Sequence, residues 1–285
     1  MGFQEGGITM DRSLKMVAAK FAIACVIAII ILIWAVPIIW MILSSFKSTQ
    51  AIIEPRLVVW FKPTLDNYKF IFETQNFFQY LVNSLIVAIS ATFICVTTGT
   101  LASYSIARWK TGGSVFANWV IFTKMAPPAI LIIPFFLMFK SIGLINTVWA
   151  LVIANITFNI PFVIWTMRGF FDELPEEMEE AALIDGCTRL EAFWRISLPV
   201  ARSGLITTSI FCFLFVWNEY LFGLTLALSE KSKTLPVATG DFITGYSINW
   251  GPVFGSGSLI LLPAFIMVLF LQRYIVQGLT VGAVK

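Results

Sequence analysis

Two charged residues interrupt long apolar runs, and they are the first places where chemistry could occur. Lys124 lies inside VFANWVIFTKMAPPAILIIPFFLMF, and Glu219 lies inside LITTSIFCFLFVWNEYLFGLTLAL. A charge set in apolar sequence is costly to bury, so it faces a bundle interior or a watery cavity. Asn218, Glu219 and Tyr220 are therefore candidates for lining a solute path, and Lys124 either pairs with Glu219 or reaches toward an interface. A Glu219 that only fixes the packing of neighbouring helices fits the same pattern. Asn155 and Asn159 are four apart and share one helix face. Their amides suit either the hydroxyls of a solute or the joining of two helices.

Other chemistries are excluded by composition. The chain has no histidine, which removes His-based metal sites and Ser-His-Asp or Cys-His catalysis. Cys25, Cys95, Cys187 and Cys212 have no metal-like spacing, and three sit in apolar runs, where they read as small hydrophobes. The dipeptide Gly-Lys never occurs, so there is no phosphate-binding Walker loop. A net charge of +3, thinly scattered, gives no footprint for nucleic acid. If the protein does energetic work, another chain supplies the ATP chemistry.

The elements that must position these residues are read from the gaps between charges. With 58% hydrophobic and 12% charged residues, and a mean hydropathy of +0.87, the chain cannot coat a water-facing surface. It belongs in a lipid bilayer, whose core of about 30 Å takes a helix of about 20 apolar residues. The uncharged gaps are 26 residues (Lys20 to Lys47), 34 (Glu73 to Arg108), 27 (Lys140 to Arg168) and 31 (Asp241 to Arg273). Each holds one helix. The two runs carrying Lys124 and Glu219 bring the total to six spans, near 18–43, 77–106, 114–139, 145–167, 203–228 and 256–276. Residues 1–17 are then an N-terminal segment ahead of a six-span unit, 18–285, whose first span is an uncleaved signal anchor. The expected fold is all-α, a polytopic membrane protein. Lys and Arg number 11 on one set of loops and 7 on the other, which favours both termini inside. Pro127, Pro128, Pro134, Pro161 and Pro263 should kink or break spans. Ten tryptophans and 27 phenylalanines are what spans and interfacial belts require, and carry no further message.

Residues 168–202 differ from the rest, holding 12 of the 35 charged residues, eight of them acidic. Pro175 suits the start of a short helix, with Glu176 and Glu177 at its positive end. Gly186 suits a C-terminal cap with positive φ. Thr188 and Glu191 form a capping box for a second helix carrying Leu190, Phe193 and Trp194 and ending near Pro199. The result is a helix–Gly–helix elbow on the inner side, with small alanines on one arm and an aromatic pair on the other.

Its spelling is specific. Glu180-Ala181-Ala182, three residues, Gly186, nine residues, then Ile196-Ser197-Leu198-Pro199 resembles the EAA loop of ABC-importer membrane subunits. Seven fixed types at fixed spacing arise by chance in about one such chain in a million. The likeness extends through Asn83-Ser84-Leu85, Ala126-Pro127-Pro128, Ile133-Pro134, Gly143-Leu144-Ile145-Asn146-Thr147, Arg168-Gly169-Phe170-Phe171, Trp217-Asn218-Glu219-Tyr220, Gln272-Arg273-Tyr274 and the tail Gly278–Lys285. The chain thus resembles the shorter permease subunit of carbohydrate-uptake ABC transporters.

That resemblance implies a heterodimer with a second, homologous permease, two ATPase subunits that hold ATP and magnesium, and an extracytoplasmic solute-binding protein, in a bacterial inner membrane. No cofactor would be bound by this chain, and it would not itself be an enzyme. ATP-driven closure of the ATPase dimer would push on both elbows and switch the path from inward- to outward-facing. By position, Glu180, Ala181, Ala182 and Gly186 would make the coupling contact, Ile196, Leu198 and Pro199 would tie the elbow to the fifth span, and residues 278–285 would offer a second contact. The path itself would be lined by Lys124, Asn155, Asn159, Asn218, Glu219 and Tyr220, and residues 229–252 would lie near the docked binding protein. Two other readings share part of the pattern: an ABC permease for a non-carbohydrate solute, and an ion-coupled secondary carrier using Glu219 and Lys124 as a relay. The carrier reading expects inverted repeats, and none is visible.

Overall fold

Apolar runs become helices where water is absent because each backbone N–H and C=O must then be satisfied within its own segment. The computed structural model describes residues 5–56 and 58–280, with side chains described for residues 16, 19–56, 58–120 and 122–269. Helix α1 (Glu5–Ser45) packs along the last helix and leaves most of its apolar surface uncovered. The turn that follows is pinned by Asn67, whose Nδ2 donates to the carbonyls of Ser45 and Lys47, each at 2.8 Å. There the Lys47 ammonium lies 3.8 Å from the ring centre of Trp40, and burial pulls its pKa below the ordinary lysine value. Short helices α2 (Thr49–Ile53) and α3 (Asp66–Thr74) lead into α4 (Phe77–Trp109).

The third apolar run, expected as one span over 114–139, is two helices. Helices α5 (Gly113–Met125) and α6 (Pro128–Ser141) meet at 90°. Consecutive prolines account for the break: Pro127 forces Ala126 out of the helical region, where it has ψ 124°, and Pro128 starts the next helix. Helix α7 (Val148–Asp172) starts on a Thr147 cap, whose Oγ1 accepts the Ala150 N–H. The fifth run, expected as helix over 203–228, also breaks. Helix α11 (introduced with the elbow below) stops at Trp217, and residues 218–220 are not helical. Among the described residues four stretches are long and apolar enough to cross a membrane, Ala19–Ser45, Phe77–Trp109, Val148–Asp172 and Trp250–Leu269, or up to six if each of two bent pairs is one span.

The elbow begins with α8 (Glu177–Ile184), two residues after Pro175. It ends in a Schellman arrangement, with Cys187 N–H on the Ala182 carbonyl and Gly186 N–H on that of Leu183. Gly186 takes φ +91°, and nothing lies within 4 Å of where a Cβ would be, so glycine is required by the backbone and not by space. Helix α9 (Arg189–Ala192) opens on the expected capping box. Thr188 Oγ1 accepts the Glu191 N–H, and the Glu191 carboxylate accepts the Thr188 N–H at 2.8 Å. The second arm runs on through a π turn at Phe193–Ser197 and α10 (Leu198–Val200), then bends by 77° into α11 (Arg202–Trp217). The second arm thus ends at Val200, next to Pro199, where the sequence marks its end.

Beyond α11 come α12 (Leu221–Leu226), α13 (Leu235–Gly240) and α14 (Trp250–Thr280). The core lies among α4, α7 and α11, with Tyr80, Phe139, Phe158, Trp217 and Phe222 buried in it. Trp217 Nε1 donates to the Ile260 carbonyl at 3.0 Å and fixes α11 to α14. At the end of α4 far from the elbow, Asn83 Nδ2 donates to the carbonyls of Lys231 and Lys233. Ser84 Oγ accepts the Leu235 N–H, and Asn146 Oδ1 accepts from Ser229 and Ser232. Asn83-Ser84 and Asn146, quoted above for the family likeness, thus act as staples for the 227–235 loop.

Helices α4 and α7 approach closely at Gly99, where a Cβ would fall 2.7 Å from Val163 Cγ1. A Gly99→Val substitution should overpack this contact at a cost of about 1–3 kcal/mol, read as a clear fall in Tm in detergent; an unchanged Tm would mean the helices separate freely. The capping hydrogen bonds from Thr188 hold the Glu191 carboxyl below its usual pKa. Their contribution is complete above the ordinary carboxylate range and is lost as pH falls through it. Glu191→Gln should therefore lower Tm at pH 7, with the gap to the parent protein closing as pH falls through the lowered carboxyl pKa.

Candidate functional site

Two places draw together the residues that the sequence singles out. The first is a cavity of about 480 Å³ at the break between α11 and α12. Lys124, Asn155, Asn159, Asn218, Glu219 and Tyr220 all line it, with Phe158, Phe215 and Phe222 supplying apolar wall. They come from α5, α7 and the 218–220 break, so only the fold makes them neighbours.

Each is held by local chemistry. Glu219 turns onto the start of α12, where its two oxygens accept the N–H groups of Phe222 (2.7 Å) and Gly223 (3.1 Å). Those N–H groups have no partner inside the helix, and the carboxylate also suits the positive end of the peptide dipoles. Lys124 does not pair with Glu219. Its ammonium donates to the Phe158 carbonyl at 3.1 Å, with the Phe215 ring centre 5.4 Å away. Asn155 and Asn159, both buried, donate back along their own helix to the carbonyls of Leu151 and Asn155, each at 2.9 Å. These bonds join no helices, and Asn159 Oδ1 is left with no hydrogen-bond partner. The oxygen itself is buried, so it is an unsatisfied acceptor within the wall beside the cavity. Asn218 Nδ2 bonds to the Leu214 carbonyl, while Tyr220 is partly exposed and packs toward Gly240.

The second place is the elbow. Glu180, Ala181 and Gly186 are exposed and Ala182 is buried against the bundle; Ile196 and Leu198 are half-buried, and Pro199 is exposed. The aromatic pair divides its work. Phe193 is buried, its ring centre 4.7 Å from that of Tyr104, whereas Trp194 points outward with Ile184 and Leu190. Residues 281–285 of the tail, part of the second contact expected at 278–285, lie outside the described residues.

One cluster at the elbow escaped the sequence reading. Glu179 is nearly buried and accepts three hydrogen bonds: from Arg108 Nε (2.8 Å), Tyr104 OH (2.8 Å) and Ser197 Oγ (2.7 Å). Arg108 also donates from Nη2 to the Leu174 carbonyl at 3.0 Å. Both ends of the ion pair are nearly dry, with side chains 7% and 11% exposed. The signal for it was faint: Glu179 lies three residues before the small, inward Ala182, and Ser197 lies within Ile196–Pro199.

Comparison with known proteins agrees with this geometry. Residues 96–281 match the family described as "Binding-protein-dependent transport system inner membrane component". A probable ABC transporter permease of Sinorhizobium fredii is 35% identical over 263 residues, covering 92% of this chain and 93% of that protein. The diacetylchitobiose uptake permease of Streptomyces coelicolor is 35% identical over 252 residues, 87% of this chain and 91% of that protein. The crystal structure of a bacterial ABC transporter that imports the acidic polysaccharide alginate shares the fold, with a TM-score of 0.74 over 93% of this chain and 97% of that one at 22% identity. On its motifs, its elbow and these relatives, the chain belongs to the inner-membrane permease components of binding-protein-dependent ABC transport systems.

Proposed function

We propose that this permease imports a carbohydrate, as one half of a heterodimeric pore driven by two ATPase subunits. The observation that carries a solute path through this chain is the convergence of six polar residues from three segments on one cavity, with Asn159 Oδ1 unsatisfied. A hydroxylated solute would supply the donor that this buried oxygen lacks once the wall rearranges to expose it. The carbohydrate class is supported by the diacetylchitobiose relative and by the motif set around the elbow.

In this reading the elbow faces the cytoplasm, as do both termini, and the 229–252 region faces the solute-binding protein. Glu180, Ala181 and the exposed Ile184, Leu190 and Trp194 form the surface that receives an ATPase subunit. Apolar side chains exposed at this density on a rigid elbow suit a partner's pocket better than water. ATP and magnesium sit on the partner subunits. Closure of the ATPase dimer pushes the elbow and alters access to the cavity. Ligand binding can drive such a switch only through its different affinity for the two states.

Tagged protein solubilised from its native membrane should bring down a second permease and an ATPase. Proline fixes φ near −65°, so Gly186→Pro, which removes the +91° turn, should lose the ATPase while remaining inserted. Parent protein recovered alone, under conditions that preserve such complexes, would sink the reading. Asn159→Leu should raise the KM for uptake about tenfold, one hydrogen bond's worth, with the ATPase still bound. Diacetylchitobiose, trehalose and maltodextrins are the first solutes to test against the cognate binding protein, and competition by none of them would count against the carbohydrate class.

A further inference from the structure

We infer that Glu179 is a positioning residue for energy coupling: its bond to Arg108 makes the elbow move as one body with α4, so that a push on the elbow is delivered to the cavity through α4 and α7. This rests on the coupling role proposed above and adds the route. Apart from this pair the elbow is held to the bundle by the apolar packing of Ala182, Ala192 and Phe193, which is non-directional. Its first arm ends at the Gly186 turn, and its second arm meets α11 at a 77° bend just after a π turn, a geometry in which force is lost to rotation. Glu179 closes that freedom. It lies on the first arm, accepts from Ser197 on the second, and is held by Tyr104 and Arg108 at the end of α4. One carboxylate thus ties both arms to one transmembrane helix.

The onward contact is equally close. Cys95 and Gly99 of α4 lie against Ile156, Ile160 and Val163 of α7, with Gly99 too near Val163 to admit a Cβ. Those α7 residues flank Asn155 and Asn159 in sequence, so a displacement of α4 is felt at the cavity wall. Charge makes the tie rigid. With both groups nearly dry, the pair cannot separate without leaving a charge unsolvated, whereas an exposed pair would yield to water.

The test uses the whole complex purified from native membranes into lipid nanodiscs. A cysteine at Asn218→Cys serves as reporter, with its N-ethylmaleimide labelling rate read by mass spectrometry with and without ATP and vanadate. On an otherwise unaltered chain the nucleotide should change that rate at least fivefold. Glu179→Gln should keep the ATPase subunits and their basal hydrolysis, yet shrink the change below twofold. The paired Arg108→Gln/Glu179→Gln variant, which leaves no lone buried charge, should do the same. If either variant retains the ATPases and the full nucleotide response, the inference is overturned. If neither retains them, the network is a requirement for assembly and not a positioning device, which also overturns it. A reporter protein that carries no ATPase, or never responds to nucleotide, instead removes the coupling reading on which this inference stands.

Discussion

A carboxylate that has left water must be met by a cation and by enough donors to replace its hydration, and the elbow is built around that requirement at Glu179. Arg108 and Tyr104 from the end of α4 and Ser197 from the second arm donate to both oxygens of the carboxylate, so two segments of the chain meet on it. Once the pair is formed, α8 has one direction relative to α4. The inward face of α8 then carries Ala182, and Phe193 fills the space beside Tyr104 and Phe171. The outward face is left with Glu180, Ala181 and Ile184. The surface offered to a partner is thus set by what the bundle takes for itself.

The same economy of polar groups governs the rest of the molecule. Few charges are available, and short amides, hydroxyls and one acid sit where helices stop. Asn67 closes the end of α1, Asn83 and Ser84 hold the 227–235 loop, and Glu219 starts α12. Each serves backbone groups that a helix leaves unpaired, which costs most where water is scarce. The cavity follows from these interruptions. A continuous helix over 203–228 would have kept Asn218, Glu219 and Tyr220 on separate faces, and the break presents all three to α7 and Lys124.

Much of the elbow was legible in sequence because its devices are local. The Gly186 turn and the Thr188–Glu191 box depend on residues within one or two turns of each other, and they formed as their spacing requires. The proline break at 126–128 is local for the same reason. The second arm likewise ends at Val200, beside the Pro199 that marks its end in the sequence. Glu179 and Glu180 show the limit. Adjacent, identical residues took opposite roles, one buried in an ion pair and one exposed, because Arg108 lies 71 residues away in the chain.

By itself the sequence determined the apolar helices, the elbow with its caps and the family, all of which rest on composition, short-range spacing or fixed motifs. Only the tertiary structure decided that Lys124 turns to the Phe158 carbonyl instead of Glu219, and that the buried Asn159 oxygen is left unsatisfied. It alone also gathered the six polar residues on one cavity and set Arg108 against Glu179. Those outcomes depend on which distant group reaches a buried charge first, and chain order does not encode that distance.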